Sequence, residues 1–204
     1  MLVVAGIQPE RPGGGLSGTF VFALSLIDTA VLLGLILFFI IRRGERPLAV
    51  FFGGRPALPE IGAGALSFPF VITVVIVLML VIRTFLPALH NVPDNPLEGL
   101  LGDEISIGLF LLVVIVAGGV REELQRAFLL HRFRGDLGQP WVGLFITSLS
   151  FGMGHTLQGL DAAVITGTLG AIWGAMYLIR GSALASMVSH SLFNSGELLR
   201  VFFR

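Results

Sequence analysis

Long apolar stretches, separated by short polar segments, dominate this chain. Six of them approach the length of roughly 17–25 residues that a helix needs to cross about 30 Å of hydrocarbon. They cover about 16–41, 62–86, 103–134, 141–157, 162–179 and 182–203. The pattern predicts an all-α bundle of about six membrane-spanning helices. We expect a single transmembrane domain over 16–204, preceded by a flexible N-terminus at 1–15.

The third stretch is unusual because charged residues interrupt it without any break in helix-forming sequence. It is apolar through Val120 and then continues past Glu122 and Arg126 to Arg134, with no glycine or proline. A glycine commonly follows the last turn of a helix. We therefore predict one long helix that ends near Arg134, with Gly135 just past its end.

Composition and charge agree with a membrane protein. The chain is 54% hydrophobic and 13% charged, with a mean hydropathy of +0.91, whereas about a quarter of the residues in soluble domains are charged. The neutral net charge argues against a nucleic-acid partner, because such proteins carry a basic excess. Nine of the thirteen arginines would share one side of six crossings: Arg42, Arg43, Arg46, Arg55, Arg121, Arg126, Arg132, Arg134 and Arg180. The positive-inside rule then predicts that both termini lie outside the cytoplasm.

Polar and ionisable residues recur at membrane depth in the C-terminal half. Such groups cost a few kcal/mol in lipid, so they usually face a cavity, a partner or a functional site. Two adjacent carboxylates and an arginine lie on the third helix, one histidine ends the fourth, and a histidine and an amide lie one turn apart on the sixth. The candidate residues are Glu122, Glu123, Arg126, His155, His190 and Asn194.

These side chains suit peptide hydrolysis. A glutamate can activate water as a general base, and imidazole and amide groups can stabilise the oxyanion at the carbonyl. The trio Glu122, His155 and His190 with an open position is also a known type of catalytic zinc site. The chain has no cysteine and no His-Glu-x-x-His, which excludes a thiolate nucleophile and an ordinary zincin. A metal-free site and a zinc site both stay open.

Three short motifs resemble a known family. Glu122-Glu123 with a following arginine, Phe151-x-x-x-His155 and His190-x-x-x-Asn194 are similar, in this order, to the motifs of the CPBP (Abi) intramembrane proteases, which include the CAAX prenyl endopeptidases. The resemblance covers a catalytic core at 118–194. It implies that Glu122 activates water, that Glu123 and Arg126 support it, and that His155, His190 and Asn194 polarise the carbonyl and stabilise the oxyanion. The family has been described both as metalloproteases and as metal-free glutamate proteases.

The resemblance implies an intramembrane endopeptidase of a bacterial-type plasma membrane. Its partners would be membrane lipids and a peptide or lipidated protein substrate, and it sets no oligomeric state. The family usually has three residues between Glu-Glu and Arg, whereas Arg126 comes one place earlier. That shift rotates it by about 100°, so its partner is Glu122 or another group. The alternatives are a catalytically inactive membrane binding or bacteriocin self-immunity protein, and a proton-coupled transporter.

Other polar residues have simpler interpretations. We expect Asp28 in the first helix to be a packing or hydrogen-bonding group, His131 to be interfacial, and Asp161 to cap a turn. Counted along their helices from the same side, His155 lies about 21 Å deep and His190 about 12 Å deep. The two histidines can therefore meet only if the helices are staggered.

Overall fold

The computed structural model describes residues 2–3, 6–11, 14–15, 17–93, 100 and 107–203, and these residues form helices and no strands. The helices are α1 (Gly18–Arg42), α2 (Pro47–Phe52), α3 (Ala57–Phe85), α4 (Ile107–Val113), α5 (Glu123–Gly135), α6 (Pro140–Met153), α7 (Leu160–Arg180) and α8 (Leu184–Phe202). A π-helical segment, Val114–Glu122, joins α4 to α5, and short 3-10 turns occupy Pro87–Leu89 and Thr156–Gln158. The predicted all-α bundle is confirmed.

Three helices, α1, α3 and α7, are each long and apolar enough to cross a membrane. The apolar helix α6 has 14 residues and is therefore only about 21 Å long. Large apolar side chains cover the outer faces of these helices, including Leu35 on α1, Leu80 on α3 and Phe145 on α6. Lipid, rather than water, is the solvent that favours such a surface. The chain is an integral membrane protein.

The third predicted helix is continuous from Ile107 to Gly135, as expected. Over Val114–Glu122, however, its backbone hydrogen bonds follow the wider π-helical pattern. The predicted end is one residue short, because Gly135 belongs to the last turn and Asp136 follows as the cap. The predicted start near 103 falls outside the described residues. π-Helical turns are rare and often occur at functional sites. Here they run up to and include Glu122, the first of the paired glutamates.

The connections between helices meet at two opposite ends of the bundle. At the arginine-rich end, which we define as the α1–α2, α5–α6 and α7–α8 connections, Arg43 binds Asp136 at 2.7 Å and Arg132 binds Glu45. At the other end, His90 contacts Asp161 at 2.6 Å. The helices therefore alternate in direction, as a bundle of successive crossings requires. The assignment of the arginine-rich end to the cytoplasm stays a prediction.

Helix α1 runs parallel to the α4–α5 helix along most of its length. The ring of Phe22 meets that of Phe110 edge-on at 4.9 Å. Further along both helices, Ile40 shares a buried apolar cluster with Ala127 and Leu130. Between these two apolar contacts lies the polar Asp28, opposite Arg121. The first helix is thus packed against the helix that carries the glutamates.

Small residues set the approach of α6 to α7. A Cβ atom on Gly152 would lie 2.5 Å from the carbonyl oxygen of Ala163 and 3.1 Å from the Cα of Gly167. Close backbone contact of this kind is a common way to pack helices in lipid. It holds the end of α6, and with it Phe151 and His155, against the middle of the bundle.

A buried ion pair joins the first turn of α3 to the last turn of α7. The carboxylate of Glu60, only 2% exposed, accepts hydrogen bonds from Nε of Arg180 at 2.7 Å and from its NH2 at 2.8 Å. Such a bidentate pair is both strong and directional. It fixes two spanning helices against each other at the arginine-rich end, and the sequence analysis did not single out Glu60.

Replacing Arg180 with methionine should destabilise the bundle by about 3 kcal/mol, because it leaves the Glu60 carboxylate buried and unpaired. The measurement is thermal or denaturant unfolding of the purified protein in detergent. The control is Arg83→Met, which replaces an exposed arginine in the last turn of α3. The double variant Glu60→Leu/Arg180→Met should recover most of the loss. Additive losses in the double variant would show that the two residues do not act as a pair.

Candidate active site

A buried carboxylate, Glu123, lies at the centre of the candidate site. It is 1% exposed and opens the regular helix α5 directly after the π-helical segment. Its Oε1 accepts a hydrogen bond from Arg126, which is 4% exposed, and contacts Nδ1 of His190 at 2.9 Å. The spacing of three residues puts Glu123 and Arg126 on one helix face. The partner of Arg126, which the sequence left open, is therefore Glu123.

The imidazole of His190 is held by a stacked ring on one face and by Glu123 at one nitrogen. The ring of Trp173 stacks on it at 3.8 Å and 14°, and the indole Nε1 donates to Oγ of Ser189 at 3.1 Å. An ionised carboxylate only accepts hydrogen bonds, so the contact with Glu123 places a proton on Nδ1 of His190. The other nitrogen, Nε2, then faces Glu122, with Oε2 of that residue 3.8 Å away.

The second carboxylate, Glu122, has a different environment. Its side chain is 22% exposed, and its two nearest charged groups, Nε2 of His190 and NH2 of Arg121, lie 3.8 and 3.9 Å away. Both distances exceed the usual range of a hydrogen bond. Among the described residues Glu122 has no hydrogen-bond partner, so its oxygens are available to a water or substrate group.

Phe151 connects His155 to the rest of the site. Nδ1 of His155 contacts the carbonyl oxygen of Phe151 at 2.8 Å, and the two rings meet at 4.7 Å. The ring of Phe151 also meets that of His190 at 6.0 Å, and the guanidinium of Arg126 lies over its face at 4.6 Å. The structure thus brings His155 next to the site through a shared aromatic ring and not through a direct contact with His190.

Asn194 lies one turn beyond His190 on α8 and binds the π-helical segment. Its Nδ2 donates to the carbonyl oxygen of Val114 at 3.3 Å. A Cβ atom on Gly118 would collide with the same amide, and one on Gly119 would collide with Ser191. The two glycines therefore allow the π-helical segment to lie directly on the polar face of α8.

Helices α5 and α8, which carry Glu123 and His190, are staggered against each other. Glu123 lies about 18 Å along α5 from Gly135, whereas His190 lies about 9 Å along α8 from Leu184. Yet the two side chains are in contact. Helix α5 must therefore extend about 9 Å further at the arginine-rich end, where Arg132 and Arg134 occupy its last turn.

Residues 104–196 match the family model described as "Type II CAAX prenyl endopeptidase Rce1-like". This segment is therefore similar to the CAAX-protease-like family. The segment contains all six candidate residues and nearly the whole contact network around Glu123. No curated protein and no solved structure matches the chain.

The residues predicted as metal ligands do not form one cluster. Glu122 and His190 approach each other, but His155 lies across the ring of Phe151. Within the part of the chain that the structure describes, no three His, Asp or Glu side chains are close enough to hold a metal ion. We therefore derive no step through a metal, and zinc stays a prediction from the sequence.

Further residues shape the site: Trp173 was not singled out from the sequence, whereas small residues such as Gly170 and Gly174 were expected to let the helices approach closely. Trp173 is 1% exposed and orients His190, while Gly170 and Gly174 leave the space that Arg126 fills against α7. These residues lie in an apolar, glycine-rich helix without any charged neighbour until Arg180. Only the rarity of tryptophan, with two in the chain, could have drawn attention to position 173.

The two glutamates should differ sharply in their effect on stability. Glu123→Gln leaves the buried Arg126 without its counter-charge and should cost about 3 kcal/mol of unfolding free energy. Glu122→Gln removes no hydrogen bond and should stay within about 0.5 kcal/mol of the wild type. Unfolding of both variants in the same detergent gives the comparison. Equal losses would contradict the different environments assigned to the two carboxylates.

Proposed function

We propose that this chain is an intramembrane endopeptidase in which Glu122 activates the water that attacks the peptide bond. The family match supports a protease of the CAAX type. The observation that carries the specific assignment is the contrast between the two carboxylates. Glu123 is buried and bound by Arg126 and His190, whereas Glu122 is partly exposed, has no hydrogen bond within the described region and faces Nε2 of His190.

The proposed reaction needs only the side chains of this site and one water. Glu122 takes a proton as the water oxygen attacks the carbonyl carbon of the substrate, and the C–N bond then breaks. The same proton passes to the leaving nitrogen, so that the products are a carboxylic acid and an amine. The neighbouring residues act by holding groups in place. The donors proposed for the oxyanion are Asn194 and Nε2 of His190, the latter in the imidazolium form that carries a proton on both nitrogens.

Glu123 and Arg126 are positioning residues in this scheme. Glu123 binds Nδ1 of His190 and so directs Nε2 towards Glu122, while Arg126 balances its charge. A hydrogen bond on one imidazole nitrogen commonly fixes what the other nitrogen does. The arrangement therefore supports one reactive carboxylate next to one oriented imidazole.

The proposed substrate is a lipidated or strongly apolar peptide that reaches the site from the membrane. The matched family is named for CAAX prenyl endopeptidases, and the outer surface of the bundle is apolar. A substrate that is already anchored in lipid needs no transfer from water. Whether its lipid is a prenyl group depends on the cell that makes this protein.

Glu122→Gln should lower the turnover of a quenched lipidated peptide by about 10²–10⁴-fold, because it removes the general base. The assay uses purified protein in detergent or liposomes, with and without a chelator. Glu197→Gln is the matched control, since Glu197 is an exposed carboxylate on α8 that pairs with Arg200. Wild-type turnover in Glu122→Gln would contradict the proposal, and loss of activity with chelator would support the zinc hypothesis.

The same preparation separates the two alternatives. A folded wild type that cleaves nothing from a broad peptide panel, but binds peptides, would favour the membrane binding or self-immunity hypothesis. Proton flux into liposomes without cleavage would favour the transporter. The fold of each sample is checked by its unfolding midpoint, so that inactivity cannot be confused with denaturation.

A further inference from the structure

Arg121, the residue before Glu122, has a guanidinium whose hydrogen-bonding capacity is mostly unused. Its NH1 donates to Oε1 of Gln125 at 3.3 Å, and its buried Nε has no hydrogen-bond partner in the described part of the chain. NH2 lies 3.5 Å from Oδ2 of Asp28 and 3.9 Å from Oε1 of Glu122. These distances allow attraction between charges, but they are too long for good hydrogen bonds.

This environment is costly for an arginine at membrane depth. The side chain is only 20% exposed, and charged groups in spanning segments usually face a partner, a cavity or a functional site. Gln125 lies one turn along the helix and holds one edge of the guanidinium. The remaining donors form the planar fork that suits the two oxygens of a carboxylate.

Asp28 on α1 balances the charge of Arg121 but makes no hydrogen bond to its guanidinium. Its side chain is 54% exposed even though it lies in the middle of an apolar spanning helix. Phe22 precedes it on the face that packs against α4, and an apolar cluster that includes Ile36 follows it near α5. The ion pair is therefore a loose, polar contact that lies between two apolar contacts of α1 with the helix that carries Glu122.

We propose that Arg121, oriented by Gln125, binds a carboxylate of the peptide substrate, and that Asp28 occupies Arg121 loosely when no substrate is bound. This inference rests on the proposed endopeptidase function. Arg121 lies 3.9 Å from Glu122, so a carboxylate on its free side would lie within about 10 Å of the attacked bond, or three residues of extended peptide. The carboxylate is either the C-terminus of the substrate or an acidic side chain near the scissile bond.

The test uses three peptides of one sequence on a common lipid anchor. The first ends in a free carboxylate, the second ends in an amide, and the third ends in an amide but carries an acidic residue near the end. Binding of each fluorescent peptide to the full-length protein in detergent is measured first, because binding needs no turnover. Cleavage gives kcat and KM separately for every peptide that is hydrolysed.

We expect the wild type to bind a carboxylate-bearing peptide about 10- to 100-fold more tightly than the neutral amide. Arg121→Met should abolish this preference by raising Kd and KM for the carboxylate peptides, with little change in the Kd of the neutral peptide. Arg121→Lys should retain part of it, because a lysine keeps the charge but not the fork. Asp28→Asn should tighten the binding of the carboxylate peptide severalfold, because it removes the carboxylate that competes for Arg121. Whether the first or the third peptide is preferred identifies the source of the carboxylate.

The control is Arg200→Gln, which removes an exposed arginine of α8 that pairs only with Glu197 among the contacts described. Equal binding of all three peptides by the wild type would overturn the inference, as would an equal loss for acid and amide peptides in Arg121→Met. Carboxylate preference without any cleavage would leave this site intact and contradict the endopeptidase. Cleavage that depends on Glu122 but is equal for the acid and amide peptides would support the endopeptidase and overturn the proposed role of Arg121.

Discussion

The contact of Glu123 with Arg126 and His190 is the interaction on which the site depends. A charge buried in a bundle surrounded by lipid is strongly unfavourable unless it is paired and hydrogen-bonded. Pairing within one helix satisfies Arg126, but the second contact of Glu123 reaches across to α8. The requirement for paired charge therefore fixes the register of α5 against α8, and Trp173 on α7 completes the enclosure of His190.

The backbone around this network is adapted to it. The π-helical segment ends at Glu122 and regular α-helix begins at Glu123, so the two adjacent glutamates have different surroundings. Gly118 and Gly119 let that segment lie on α8, and Gly170 and Gly174 leave room for Arg126 beside α7. Removing side-chain volume at these points brings the polar groups together. As a result, one carboxylate is held firmly and its neighbour is left accessible.

Contacts at the arginine-rich end hold the helices that form this site. Glu60 and Arg180 join α3 to α7, and Arg132 binds Glu45 in the α1–α2 connection. In addition, the hydroxyl of Tyr177 donates to the carbonyl oxygen of Val50 at 2.9 Å. In the middle of the bundle the polar contact between α1 and the π-helical segment is looser, since Asp28 and Arg121 are 3.5 Å apart. The bundle is thus held firmly at the arginine-rich end and more loosely at this polar contact.

The sequence by itself determined the helical class, the approximate limits of most helices and the list of polar residues at membrane depth. These follow from local properties, since hydrophobic length predicts a spanning helix and a buried charge marks a partner or a site. The tertiary structure decided which of those residues meet. The partner of Arg126, the separation of His155 from His190 by Phe151 and the stacking of Trp173 all depend on helix stagger and rotation. A stagger of about 9 Å arises from contacts between distant segments, and hydrophobic periodicity within one helix carries no information about it.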